Sequence, residues 1–199
     1  MLKSNSKEYS NTLPIILASA SPNRKRLLAE AGVAFTTLPP DDNAEDDRLP
    51  NEVPEEYVRR LAVQKAKNVA DKIERGIIIG GDTIVLCGND ILEKPIDRDD
   101  ARRMLRKLRG QIHYVLSGLC LITKDGGTET MQLGTALTRL HMQPISDGHI
   151  ETYLDTGIWQ GKSGAFGYQD CNDWIEILEG SESNVVGLPM ELLRAFMAQ

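Results

Sequence analysis

Arg24 stands in the opening turns of a segment that reads as a helix, within "LASASPNRKRLLAEAG" at residues 17–32. Ser21-Pro22 signals the helix start, and Leu27, Leu28 and Ala31 recur at helical spacing. The positive end of a helix dipole lies at its N-terminus. Cations there are opposed by roughly 0.3–1 kcal/mol each when exposed. Arg24, Lys25 and Arg26 are therefore out of order, and a bound anion would reverse the sign. Ser19 and Ser21 place hydroxyl donors beside the same turn. The bland alternative is a solvated basic face with Ser21 as a plain cap.

Three further positions carry the same kind of tension. In "EEYVRRLAVQKAKNVADKI" the apolar stripe is Val58, Leu61, Ala62, Ala66, Val69 and Ile73, and Lys65 falls inside it. A lysine on a buried face snorkels or meets an anion. Lys67 is off the stripe and reads as solvated. Asp82 sits in the strand-like "GIIIGGDTIVL" and shares a face with Ile84 and Leu86 if no bulge intervenes. Its two preceding glycines permit close approach of a ligand or of another backbone. A carboxylate there could hold a metal, accept a proton or simply occupy a turn. Lys94-Pro95 aims a cation from the end of the next strand, and "GKSGAFGYQD" sets Lys162 and Gln169 in a glycine-rich loop. Those glycines mark tight turns or a loop pressed on a flat ligand. Cations at Arg24, Lys65, Lys94 and Lys162, hydroxyls at a helix start and one acid form the inventory for a polyphosphate with a divalent metal, Mg²⁺ or Mn²⁺. No Walker or dinucleotide glycine motif is present.

The bulk composition limits the rest. The net charge of −6 opposes a general affinity for nucleic-acid backbone, though a local basic pocket is compatible with it. Cys87, Cys120 and Cys171 are odd in number and widely spaced, so they suggest neither disulfides nor a zinc site and fit a cytoplasmic protein. His113, His141 and His149 lack metal-ligand spacing. No apolar run approaches a membrane span.

The elements that must position these groups follow from the pattern. Residues 1–13 read as a loose polar tail and 14–199 as a single domain. Strands are expected at 14–19, 33–38, 76–86, 90–95, 113–123, 129–142 and 173–178. Helices are expected at 22–31, 54–75, 97–108, 146–155 and 186–197. Asp125-Gly126-Gly127 is a hairpin signal. Between Pro39 and Pro54 lies a polar loop dense in acid: Asp41, Asp42, Glu45, Asp46 and Asp47. The class is α/β with a mixed sheet and flanking helices.

In order along the chain, "LASASPNRKRLL", "EEYVRRLAVQKA", "GGDTIVL" with "LEKP", "LRGQIHYVLSG", "GKSGAFGYQD" and "NVVGLP" resemble the motifs of the Maf family of nucleotide pyrophosphatases. The resemblance runs from Ile15 to Leu193. It implies a two-lobed, ITPase-like fold around a central cleft. It also implies hydrolysis of nucleoside triphosphates to monophosphate and pyrophosphate with a divalent cation, in a cytosolic homodimer. By the same resemblance Asp82 matches the proton acceptor, and Ser19, Arg24, Lys65 and Lys94 match the polar site. Asn23, Thr83 and Gln169 stand where members are sorted by base. Thr83 and Gln169 lean to the pyrimidine branch, which carries arginine where this chain has Asn23. The family's Asp-Glu pair after the second strand falls on "DDNAEDD", where Glu45 is the substitute beside Asp82 for a metal. A reading from another class, a non-catalytic nucleotide-binding regulator of cell division, would use the same pocket.

Overall fold

The computed structural model describes residues 13–170 and 173–198. The polar tail expected at 1–13 lies outside this range except for Leu13, and Cys171 also lies outside it. The chain runs β1 (Ile15–Leu17), α1 (Pro22–Glu30), β2 (Thr36–Thr37), α2 (Pro54–Ala70), β3 (Gly76–Cys87), β4 (Asp90–Leu92) and α3 (Arg98–Leu108). It continues through β5 (Ile112–Asp125), β6 (Thr128–Met142), α4 (Asp147–Asp155), β7 (Ile175–Glu179), α5 (Glu182–Val186) and α6 (Met190–Met197). Two single turns of 3-10 helix lie at Ser163–Ala165 and Tyr168–Asp170. The strands form one seven-stranded mixed sheet in the order β2-β1-β3-β5-β6-β7, with β4 added beside β3. Among the described residues, no helix is long and apolar enough to cross a membrane.

Local chemistry sets most of these boundaries. The β5–β6 hairpin turns on Gly126 and Gly127, at φ 56° and 84°, as a tight two-residue turn requires. Asp97 caps α3 by accepting from the Asp100 N–H at 2.8 Å. Asp99 and Asp100 fill the first turn of α3, and Arg106 and Lys107 the last. α1 has no acid in its first turn, so its reversed charge order is a property of the folded helix.

Several elements differ from the sequence expectation, and β1 and β4 are each three residues long, half the length expected at 14–19 and 90–95. α2 ends at Ala70 rather than at 75, and Ile73 packs against the core from outside the helix. β2 is only two residues long, pairing with the end of β1. The single closing helix expected at 186–197 is two helices. Gly187 terminates α5 at φ 116°, a left-handed position that favours glycine, and Pro189 stands before α6. The break turns the Gly187 carbonyl away from any helix and leaves it to a distant partner.

Long strands join two packed regions. At one end α2 covers one face of the sheet over Ile78, Cys120 and Ile122, while α1 and α6 cover the other over Ile79, Leu119 and Leu121. At the other end α3 and α4 pack on Val85, Val115 and Leu140. β3 and β5 pass through both regions, which makes the two lobes and the space between them one structure.

α2 lies unusually close to the sheet. A Cβ on Gly80 would be 2.5 Å from the Ala62 carbonyl oxygen, and one on Gly118 would be 2.2 Å from that of Val58. Gly118 pairs with Asp82 across β3 and β5, so this contact sets how near the helix stands to the acid.

Gly118→Ala must displace backbone, and it should lower stability by about 1–3 kcal/mol in denaturant titration; an unchanged midpoint would contradict the close-approach account. A second prediction concerns His113, which is fully buried against Phe166 with its Nε2 unpartnered among the described residues. Burial pushes its pKa down from 6.5 to about 4. The unfolded chain therefore takes up a proton between these values that the folded chain refuses. Stability should be complete above about pH 6.5 and fall by up to about 3 kcal/mol on acidification to pH 4. That slope should flatten in His113→Phe.

Candidate active site

β3 shares one edge between two neighbours. β1 pairs in parallel with Ile77, Ile78 and Ile79, and β4 pairs antiparallel with Val85, Leu86 and Cys87. Among the described residues, 80–84 have no strand partner on that edge, although their other edge is paired to β5 without interruption. The chain leaving β1 (Ser19, Ala20, Ser21) and the chain leaving β4 (Glu93, Lys94) run into this gap from opposite directions. A cleft of about 710 Å³ opens there, within the range of small-molecule sites. It is lined by every residue singled out above: Ser19, Ser21, Asn23, Arg24, Glu45, Lys65, Asp82, Thr83, Lys94, Lys162 and Gln169.

An unpaired edge lets one ligand reach both faces of a sheet. Asp82 points to the α2 face, as the unbulged register requires, and Thr83 to the other. On the α2 face Lys65 meets its anion. Its Nζ lies 2.6 Å from Asp82 Oδ1 and 2.9 Å from Glu45 Oε2. Snorkelling is thus not what the lysine does; it is buried between two carboxylates.

On the other face Arg24 is buried and deeply tied in. Its Nε donates to the Gly187 carbonyl at 2.8 Å, Nη1 to Ser19 Oγ at 3.1 Å and Nη2 to Thr83 Oγ1 at 3.4 Å. Burial pushes its pKa down from the usual value, and the charges of Asp82 and Glu45 pull it back. Arginine starts so high that it stays charged. Its acceptors are all neutral, so among the described residues its positive charge is uncompensated by any direct ion pair. Ser19 Oγ also accepts from the Ser21 N–H at 3.2 Å, which leaves its own proton to be donated. Ser21 caps α1, accepting from the Arg24 N–H at 3.4 Å.

The remaining cations differ. Lys94 has no ion pair among the described residues and is exposed at the cleft. Lys162 is paired with Asp170 across the glycine-rich loop. Arg26 turns outward to Glu30 at 2.7 Å and takes no part. The Asn23 and Gln169 carboxamides both line the cleft and have no hydrogen-bond partner among the described residues. The Thr83 hydroxyl is engaged: it lies 2.8 Å from Ser117 Oγ and 3.4 Å from the Gly187 carbonyl.

Several contributors were not legible as such. Asn184 donates to the Val115 and Ala136 carbonyls at 3.1 and 3.2 Å, pinning α5 to the sheet so that Gly187 reaches Arg24. Ser163 Oγ donates to the Thr83 carbonyl at 2.8 Å, on the unpaired edge of β3. Tyr57 donates to Glu93 at 2.6 Å, and burial together with Glu93 pushes its phenol far above the usual range. The first two sit in the motifs "NVVGLP" and "GKSGAFGYQD", but their partners are far away in sequence.

The donor set suits a divalent cation carried in on phosphates. No cluster of three or more His, Cys, Asp or Glu among the described residues forms a closed cage. Mg²⁺ instead uses one or two carboxylates and completes its shell with water and substrate oxygens. Asp82 and Glu45, brought together by Lys65, are such a pair.

A family model described as Maf-like protein matches residues 14–199. The chain is 44% identical over 184 residues to a protein from Rhodopirellula baltica named dTTP/UTP pyrophosphatase, covering 92% of this chain and 80% of that one. A protein of the same name from Nitratidesulfovibrio vulgaris is 39% identical over 185 residues, covering 92% and 86%. A solved nucleoside-triphosphatase / dITP/XTP pyrophosphatase from Mycobacterium abscessus aligns with a TM-score of 0.40 at 15% identity, covering 93% of this chain and 92% of that one.

The Arg24 fork predicts its own sensitivity. Arg24→Ala should lower stability by about 2–3 kcal/mol by removing the short buried bond to the Gly187 carbonyl, which then keeps only the longer one from Thr83 Oγ1 at 3.4 Å. Arg24→Lys should not restore it, because an ammonium cannot span the same acceptors. Denaturant midpoints decide this, and a lysine variant as stable as the parent would refute the fork.

Proposed function

The chain belongs to the Maf family, and from that premise we propose that it hydrolyses pyrimidine nucleoside triphosphates, UTP and dTTP foremost, to the monophosphate and pyrophosphate. The observation that carries this reading is the cleft at the unpaired edge of β3, where Asp82 and a set of cations face one space. The names of the relatives support the bond cleaved and the base.

In this reading the phosphates lie along the gap. The Ser19 hydroxyl, the start of α1 at Ser21 and the remaining N–H groups of Arg24 hold phosphate oxygens. Lys65, Lys94 and Lys162 offset charge that grows on the leaving pyrophosphate. Lys94 is free for this; Lys65 and Lys162 must exchange a carboxylate for phosphate. Asp82 orients the attacking water and takes its proton as the water meets the α-phosphorus. A divalent cation, Mg²⁺ or Mn²⁺, held by Asp82 and Glu45 would neutralise phosphate charge and acidify water. The Asn23 and Gln169 carboxamides each offer a donor and an acceptor, as does the imide edge of uracil or thymine. Thr83 acts on base choice through Arg24 and Gly187, since its hydroxyl is already engaged. The protein works as a cytosolic homodimer, as the family resemblance implies.

Incubation with each triphosphate and Mg²⁺ or Mn²⁺ tests the reading. Monophosphate and pyrophosphate should appear, fastest with UTP and dTTP. Nucleoside diphosphate with orthophosphate would refute it, and binding without turnover under either metal would favour the regulator. Asp82→Asn should cut turnover at least about 100-fold while nucleotide still binds; unchanged turnover would remove Asp82 from the chemistry.

A further inference from the structure

The acid-rich loop after β2 is not a solvated charge run. It is strapped along α2 by side chains four residues apart. Lys72, in the turn just past the helix, and Asn68 hold Asp41, with Lys72 Nζ 2.7 Å and Asn68 Nδ2 3.1 Å from Asp41 Oδ2. Gln64 donates to Asp46 Oδ2 at 2.5 Å and accepts from the Asp46 N–H at 3.3 Å.

Arg60 makes the strongest join. It grips Glu52 through Nε to Oε1 at 2.7 Å and Nη2 to Oε2 at 2.8 Å. The same guanidinium donates to the carbonyls of Asp47 at 3.1 Å and Asp46 at 3.4 Å. Glu52 is buried, and its Oε2 also accepts from the Leu49 N–H at 3.1 Å. A buried carboxylate thus braces the arginine, and the arginine braces the loop backbone.

Glu45 precedes those two carbonyls directly. Its side chain is 41% exposed and pairs only with Lys65 among the described residues. Packing does not hold it at the cleft, so beyond the ion pair to Lys65 its place is set by the loop backbone. We propose that Arg60 is a positioning residue for the reaction: through Glu52 and the Asp46 and Asp47 carbonyls it holds Glu45 facing Asp82 and Lys65. This rests on the hydrolase reading for its kinetic consequence, though not for its structural one.

Removing partners that orient a metal ligand typically costs ten- to a hundredfold in metal affinity or activity. Arg60→Ala should raise the Mg²⁺ concentration for half-maximal rate about tenfold or more, as Glu45→Ala should. The double variant should be no worse than Glu45→Ala alone, because both act through one carboxylate. Additive losses would overturn the proposal. Hydrogen–deuterium exchange supplies a readout without turnover. Exchange across residues 41–49 should accelerate in Arg60→Ala while β3 and β5 keep their protection; unaltered exchange in the loop would also overturn it. If Arg60→Ala fails to fold, Gln64→Ala replaces it in both measurements with the same expected directions. If the parent protein turns over no nucleotide, the hydrolase reading fails and the exchange experiment alone decides the strap.

Discussion

The organisation of this molecule depends on what β3 lacks. A strand of twelve residues is paired from Gly76 to Leu86 on its β5 side, yet on the other side, among the described residues, it is paired only towards its two ends. Buried backbone polar groups must find partners, so an interior gap in a sheet has to be filled by water, side chains or ligand. Ser163 answers at the Thr83 carbonyl. The rest of the opening faces the cleft. Because β1 runs parallel to β3 and β4 antiparallel to it, the chain leaving each strand enters the same opening. Ser19 and Lys94 reach the site for that topological reason.

The gap also explains the charge arrangement. Across an ordinary sheet, Asp82 and Thr83 would serve separate spaces. Here their faces meet around an open edge, and Lys65 and Arg24 approach the same volume from opposite sides of the sheet. Each cation has a different restraint. Lys65 is held between carboxylates, and Arg24 by neutral acceptors, the neighbouring Ser19 and the distant Thr83 and Gly187. The first arrangement tethers a charge that a phosphate can compete for. The second presents a charge that no acid directly neutralises. Distances to the neighbouring helix are fixed by Gly80 and Gly118, where no side chain fits.

Much of this was legible in the sequence, and the part that was not has a common cause. Caps, the Gly126-Gly127 turn and the apolar stripe of α2 are local, and the elements they specify begin where expected, although α2 ends five residues early. The anomalous charges at Arg24 and Lys65 pointed to anions; Lys65 meets Asp82 and Glu45, whereas the partners of Arg24 within the chain are neutral acceptors. What periodicity could not supply was the identity of those partners. Gly187 lies 163 residues from Arg24 and Ser117 lies 34 from Thr83. The closing helix was misread because "NVVGLPMELLRAFM" keeps an apolar rhythm across Gly187 and Pro189, whose backbone preferences break it. The acid-rich loop reads as solvent-exposed by composition; its attachment emerges only when Arg60, Gln64, Asn68 and Lys72 are seen on one line beside it.

The central claim is that the gap places the α-phosphorus of a nucleotide beside Asp82. Hydrolysis of UTP in ¹⁸O-labelled water tests it most directly. Attack at the α-phosphorus puts the label in UMP and leaves pyrophosphate unlabelled, which is the result this account predicts. Label in the pyrophosphate would mean attack at the β-phosphorus and would contradict it.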